Sequence, residues 1–94
     1  MDKILLVEDE DIIRRGLLYA VDWLKEDCVV VGEAMDGVDG LEKIDILRPD
    51  IVITDVKMPY LDGLGMLEQS RDRGYEAIIL SGYDEFSYAK RAIS

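Results

Sequence analysis

The sequence predicts a doubly wound α/β domain, a parallel sheet with helices on both faces. Two observations carry this. Four short runs rich in Val and Ile are almost continuously apolar, as strands buried on both sides must be. Segments of helical period separate them in strict alternation, the pattern of βαβ crossovers. With 94 residues, one small domain accounts for the whole sequence, and no linker, repeat or low-complexity stretch interrupts it.

The strands are "KILLV" (3–7), "CVVVGEA" (28–34), "DIVITD" (50–55) and "AIILSG" (77–82). Between the first two, Ile12, Ile13, Gly16, Leu17, Ala20, Val21 and Leu24 fall at i, i+3, i+4 spacing and predict an amphipathic helix. Trp23 is expected to pack at the end of that helix. In "DGVDGLEKIDILRPD" a second helix carries Val38, Leu41, Ile44 and Leu47 on one face and is closed by Pro49. A shorter helix surrounds Leu64 and Leu67 and ends at Gly74, and "DEFSYAKRAIS" begins a fourth with Asp84 at its N-cap.

Hydrophobic residues make up 49% of the chain, enough for a core, which excludes a solvated acidic tail. The formal charge of −10 repels nucleic acid phosphates and anionic lipid, so the segment is not expected to bind DNA or membrane directly. The same charge favours divalent cations and basic partner surfaces. The lone Cys28 lies in an apolar run and reads as a small buried hydrophobe; one cysteine supplies neither a disulfide framework nor a zinc set and suits a reducing cytoplasm. No apolar run approaches the ~20 residues that span a bilayer, and no signal peptide is visible.

Four acids, Glu8, Asp9, Glu10 and Asp11, follow the first strand directly. Glu10 and Asp11 fit helix capping and dipole compensation. Glu8 and Asp9 pose a different question, because open α/β sheets bind ligands beyond the carboxyl ends of their strands, where strand order reverses. In a sheet of order 2-1-3-4 that crevice lies between strands 1 and 3. Asp55 ends strand 3, so residues 46 positions apart would become neighbours. Three crowded carboxylates raise one another's pKa unless a cation offsets them. Mg²⁺, a hard ion that keeps several waters and takes one or two carboxylates, suits such a site. Ser81 would bring a hydroxyl to the same rim, with Gly82 leaving room for the backbone. A carboxylate, a divalent ion and a hydroxyl donor are the parts of phosphoryl transfer.

The pieces "ILLVEDE", "GEAMDGVDGLE", "PDIVITDVKMPYLDGLGML" and "IILSGYDEFSYAKRAI" together resemble the receiver domain of two-component response regulators, over nearly the whole sequence. The resemblance implies a flavodoxin-like receiver fold with strand order 2-1-3-4. It implies that Asp55 is the phosphoacceptor, taking a phosphoryl group from the phosphohistidine of a sensor histidine kinase. Asp9 would bind Mg²⁺ directly and Glu8 through water, with the main-chain carbonyl of Lys57 as a further ligand beside Asp55. Ser81 would be the switch hydroxyl, Pro59 and Gly63 would shape the loop after the acceptor, and Lys57 and Tyr83 would modulate phosphate lifetime. "LLYAVDW" and "SGYDEFSYAKRAI" are most similar to the subgroup with an AraC-type helix-turn-helix output. The resemblance thus implies a cytoplasmic, non-enzymatic signal carrier that switches its own output domain, and the surface from the loop after strand 4 to helix 4 is where homodimerisation would be set.

Residues 1–94 match a receiver that lacks its fifth strand and fifth helix, and no output domain is present. The lysine that ends the family's fifth strand has no counterpart, since Lys57 and Lys90 lie elsewhere. Strand 4 is therefore expected to be an open edge and helix 1 to lose a neighbour. The 94 residues are expected to belong to a longer protein or to be held by intermolecular contacts along those surfaces.

Rival functions fit less well. A phosphohydrolase of haloacid-dehalogenase type needs a second acid two residues after its nucleophile, where Lys57 stands. The first turn, "EDEDI", lacks the glycines of a nucleotide or flavin site, and "MDGVDG" lacks the ligands of an EF-hand. A receiver-like interaction module that never takes a phosphate is the remaining alternative.

Overall fold

The computed structural model describes residues 1–80. Strands β1 (Asp2–Val7), β2 (Cys28–Ala34), β3 (Ile51–Asp55) and β4 (Glu76–Leu80) form one parallel sheet in the order β2-β1-β3-β4. Helices α1 (Asp11–Ala20), α2 (Gly37–Leu47) and α3 (Gly63–Ser70) supply the crossovers, and a 3₁₀ turn, Arg71–Arg73, extends α3. The expected order and all four strands are therefore present, with their ends, among the described residues, displaced by at most one residue. The expected fourth helix with Asp84, together with Ser81, Gly82 and Tyr83, lies outside the described residues.

The continuous apolar runs are explained by a sheet covered twice. Successive side chains point to opposite faces, so Leu5, Val7 and Val52 join Ala34, Ile44 of α2 and Met66 of α3 on one side. Ile4, Leu6 and Ile53 face the other, where Leu17, Leu18 and Trp23 pack. Each fully buried aliphatic side chain contributes about 1.5–3 kcal/mol, so β1, buried on both faces, is the centre of the fold.

Local signals fix the helix ends. Asp36 caps α2 by accepting from the Asp39 N–H at 2.8 Å, and Arg48 closes it in the left-handed conformation (φ 50°), with Pro49 next. Asp62 caps α3 by accepting from the Gly65 N–H at 2.7 Å. Gly74, at φ 81°, ends the 3₁₀ turn where the sequence places the stop. Trp23 packs beyond the end of α1 and donates from Nε1 to the Leu18 carbonyl.

Four expectations are corrected. Helix α1 ends at Ala20, so Val21 and Leu24 lie beyond it, and its sheet-facing side is Arg14, Leu17 and Leu18. Ile12 is 88% exposed, because the buried Arg14 guanidinium, tied to the ends of β1 and β2, sets the rotation of the helix. Glu10 occupies the cap position of α1, but its side chain makes no capping hydrogen bond, and Asp11 pairs with Arg14. In α2, Val38 is exposed, and the helix approaches α3 through Gly40, where an added Cβ would stand 2.3 Å from Met66 Sδ. Cys28 is only half-buried, at the start of the flanking strand β2, and its thiol donates to the Glu26 carbonyl. On β4, Ile78 is 49% exposed; among the described residues this strand pairs only with β3, as an edge strand does.

Candidate functional site

Parallel pairing brings the acids together. In β1 and β3, Val7 is in register with Thr54, so the residues that follow each stand side by side at the C-terminal rim of the sheet. They are Glu8 and Asp55. One carboxylate oxygen each from Glu8, Asp9 and Asp55 lies within 4.8 Å of the others. β4 ends at Leu80, in register with Asp55.

The three acids differ in setting. Glu8 is 3% exposed, Asp55 half-buried and Asp9 exposed. The Glu8 backbone is held by its N–H, which donates to the Ala34 carbonyl at 3.0 Å, and its carboxylate accepts from the Asp9 N–H at 2.9 Å. Asp55 Oδ1 accepts from the Val56 N–H at 2.7 Å. Burial is the main reason the Glu8 carboxyl is pushed up to about 8, and hydrogen bonding and repulsion within the acid group add to it. At neutral pH without a cation, Glu8 therefore holds a proton.

The segment after β3 is built around close backbone approach. The Gly63 N–H donates to the Val56 carbonyl at 2.7 Å, and the start of α3 rests on the Asp55 main chain. The Gly37 N–H at the start of α2 donates to the Leu61 carbonyl at 2.9 Å, tying the same loop to the neighbouring crossover. Lys57 lies in this loop with an exposed side chain, and Tyr60 is exposed with φ 68°. Ser81 lies outside the described residues.

Sequence reasoning missed Arg14. It is 5% exposed, and its guanidinium donates from Nη1 to the Glu8 carbonyl at 2.7 Å and from Nε to Glu33 Oε1 at 3.0 Å. Nη2 donates to Asp11 Oδ1. Burial alone would lower its pKa, but the Asp11 and Glu33 carboxylates more than reverse this, and the group stays charged. The available signal was Asp11 three residues before an arginine at the start of a helix, a spacing that puts both side chains on one face. Lys43 Nζ donates to the Glu33 carbonyl and to Asp39, and so holds the end of β2 from the α2 side.

The donor set fits a hard divalent cation. All three side chains offer carboxylate oxygen, and one is buried enough to be uncharged until a cation arrives; hard oxygen donors suit Mg²⁺. Among the described residues no other group of three such side chains converges in this way.

The response regulator receiver domain family matches residues 4–94. An uncharacterized transcriptional regulatory protein of Bacillus subtilis, YesN, is 42% identical over 99% of this chain and 26% of its own length. Among solved structures, the receiver domain of AraT, a response regulator from Geobacillus stearothermophilus, superposes with a TM-score of 0.90 at 40% identity, covering 98% of this chain and 73% of that one. A two-component transcriptional regulator AraC from Clostridium phytofermentans gives a TM-score of 0.86 at 31% identity, covering 100% and 74%. The chain spans about a third of the length of the curated relatives it matches, 37% in one case. No helix among the described residues is long and apolar enough to cross a membrane.

Proposed function

From the premise that this chain belongs to the response regulator receiver domain family, we propose that Asp55 is its phosphoacceptor. A receiver domain transduces a signal in a two-component system, and the donor here would be the phosphohistidine of a sensor kinase. The observation that carries the assignment is the convergence of Glu8, Asp9 and Asp55 within 4.8 Å at the C-terminal rim of the sheet.

Asp9, Asp55 and the main-chain carbonyl of Lys57 would hold Mg²⁺ directly, with Glu8 acting through water. The ion would offset negative charge on the phosphoryl oxygens as they approach the acceptor. The Asp55 carboxylate then attacks phosphorus in line, and the bond to the histidine nitrogen breaks. The Val56 N–H, bonded to Asp55 Oδ1, orients the nucleophile. Ser81 would donate a hydrogen bond to a phosphoryl oxygen. The added charge would shift the segment after β4 between two arrangements and release an output outside this sequence. A DNA-binding output of AraC type is supported by the name of one similar protein, the two-component transcriptional regulator AraC, and a transcriptional output more broadly by that of YesN. The setting would be cytoplasmic, with homodimerisation as the readout of the switch.

The test is incubation with Mg²⁺ and a small phosphodonor, followed by mapping of the acid-labile adduct. Label on Asp55, abolished by Asp55→Asn, supports the assignment. Label elsewhere removes Asp55 as the acceptor, and no label together with no beryllofluoride binding leaves an interaction module.

A further inference from the structure

The geometry points to Arg14 as a positioning residue that sets the Glu8–Asp9 peptide for cation binding, an inference that rests on the Mg²⁺ reading above. Arg14 joins three elements at the rim: the end of β1 through the Glu8 carbonyl, the end of β2 through Glu33, and the first turn of α1 through Asp11. The bond to Glu8 matters most. That carbonyl and the Asp9 N–H belong to one planar peptide, so fixing the oxygen fixes the direction of the N–H. The Asp9 N–H in turn donates to Glu8 Oε2. With the Glu8 N–H already bonded to Ala34, the residue is held at both backbone groups and at its carboxylate.

A structural ion pair would need no contact with the acid group; this arginine spends its 2.7 Å bond on the carbonyl between the two acids. Its three donors reach three acceptors in different directions from one planar fork, which a lysine ammonium on a flexible stem does not reproduce. In this role Arg14 acts through the peptide it holds.

The test compares Mg²⁺ affinity, by isothermal titration calorimetry, with metal-free stability for the whole chain and its Arg14→Lys and Arg14→Met variants. Both variants are expected to bind Mg²⁺ roughly 10- to 100-fold more weakly, the usual effect of losing a group that orients a ligand. Arg14→Lys is expected to regain part of the stability that Arg14→Met loses, without regaining affinity. Wild-type affinity in a folded Arg14→Lys or Arg14→Met overturns the inference. If neither variant folds, Glu33→Gln, which weakens the aim of the guanidinium while keeping it in place, is expected to weaken binding several-fold, and unchanged binding overturns the inference. Asp9→Ala separates the two levels of argument. Binding lost in Asp9→Ala but kept in the Arg14 variants sinks only the positioning role, whereas no Mg²⁺ binding by the wild type sinks the metal site as well.

Discussion

Gly63 stands so close to Asp55 that a Cβ added to it would lie 1.9 Å from the Asp55 main-chain oxygen. The first residue of α3 is thus seated directly on the backbone of the proposed acceptor, and the Gly63 N–H bond to the Val56 carbonyl holds it there. Any larger residue must push α3 and the end of β3 apart. Gly63→Ala is expected to destabilise the fold by about 1–3 kcal/mol, as overpacking of a close contact does. Urea melts check this, and an unchanged midpoint would show that the contact relaxes at no cost.

A second contact tests whether the far end of α3 is independent of the site. The buried Ser70 hydroxyl donates to the Met66 carbonyl at 2.7 Å and lies 2.6 Å from the Tyr75 hydroxyl. Ser70 has one hydrogen, and the carbonyl can only accept it, so the tyrosine donates to Ser70. Tyr75→Phe removes that bond but leaves Ser70 paired with Met66. The expected loss is about 1 kcal/mol in denaturant melts. Mg²⁺ affinity is expected to be unaltered, and a parallel fall in affinity would couple this corner to the acids.

The strands and the acid group were legible in the sequence because each depends on a local pattern. "KILLV" and "DIVITD" announce strands covered on both faces, and their ends carry Glu8, Asp9 and Asp55 wherever a parallel sheet brings the two strands together. The rotation of α1 was not legible. Ile12 and Ile13 suit a core-facing stripe by spacing alone, yet the rim holds two acceptors, the Glu8 carbonyl and Glu33, that draw Arg14 inward. That preference is a tertiary one and has no periodic signature. The contrast between buried Glu8 and exposed Asp9 was equally hidden, since adjacent acids look alike until a neighbouring strand covers one of them.

Glu8 gives the metal-free protein a definite pH dependence. Its carboxyl sits at about 8 in the fold against an ordinary value of 4.5. Between these values the folded chain keeps a proton that the unfolded chain has released, so stability falls as pH rises through the window. The contribution is fully present below the unfolded value and is lost as pH passes the folded one. Urea melts in chelator are expected to show decreasing stability from about pH 5 to about pH 8, with the slope much reduced in Glu8→Gln. Equal slopes in the two proteins would place the titrating group elsewhere.

The same proton links cation binding to pH. A carboxyl that titrates at about 8 is mostly protonated at pH 7, and a divalent ion at the site favours its ionised form. Binding is therefore expected to release about one proton per Mg²⁺ at pH 7, and affinity to rise by about tenfold per pH unit before levelling above pH 8. Calorimetric titrations in buffers of different ionisation enthalpy measure the release directly. In Glu8→Gln the release should disappear, because the amide carries no titratable proton, while Asp9 and Asp55 still offer carboxylates to the ion. Asp9→Ala should bind Mg²⁺ more weakly, since it removes a proposed direct ligand. If the wild type binds Mg²⁺ with no buffer-dependent heat, Glu8 is already ionised in the free protein, and its burial does not control the charge of the site.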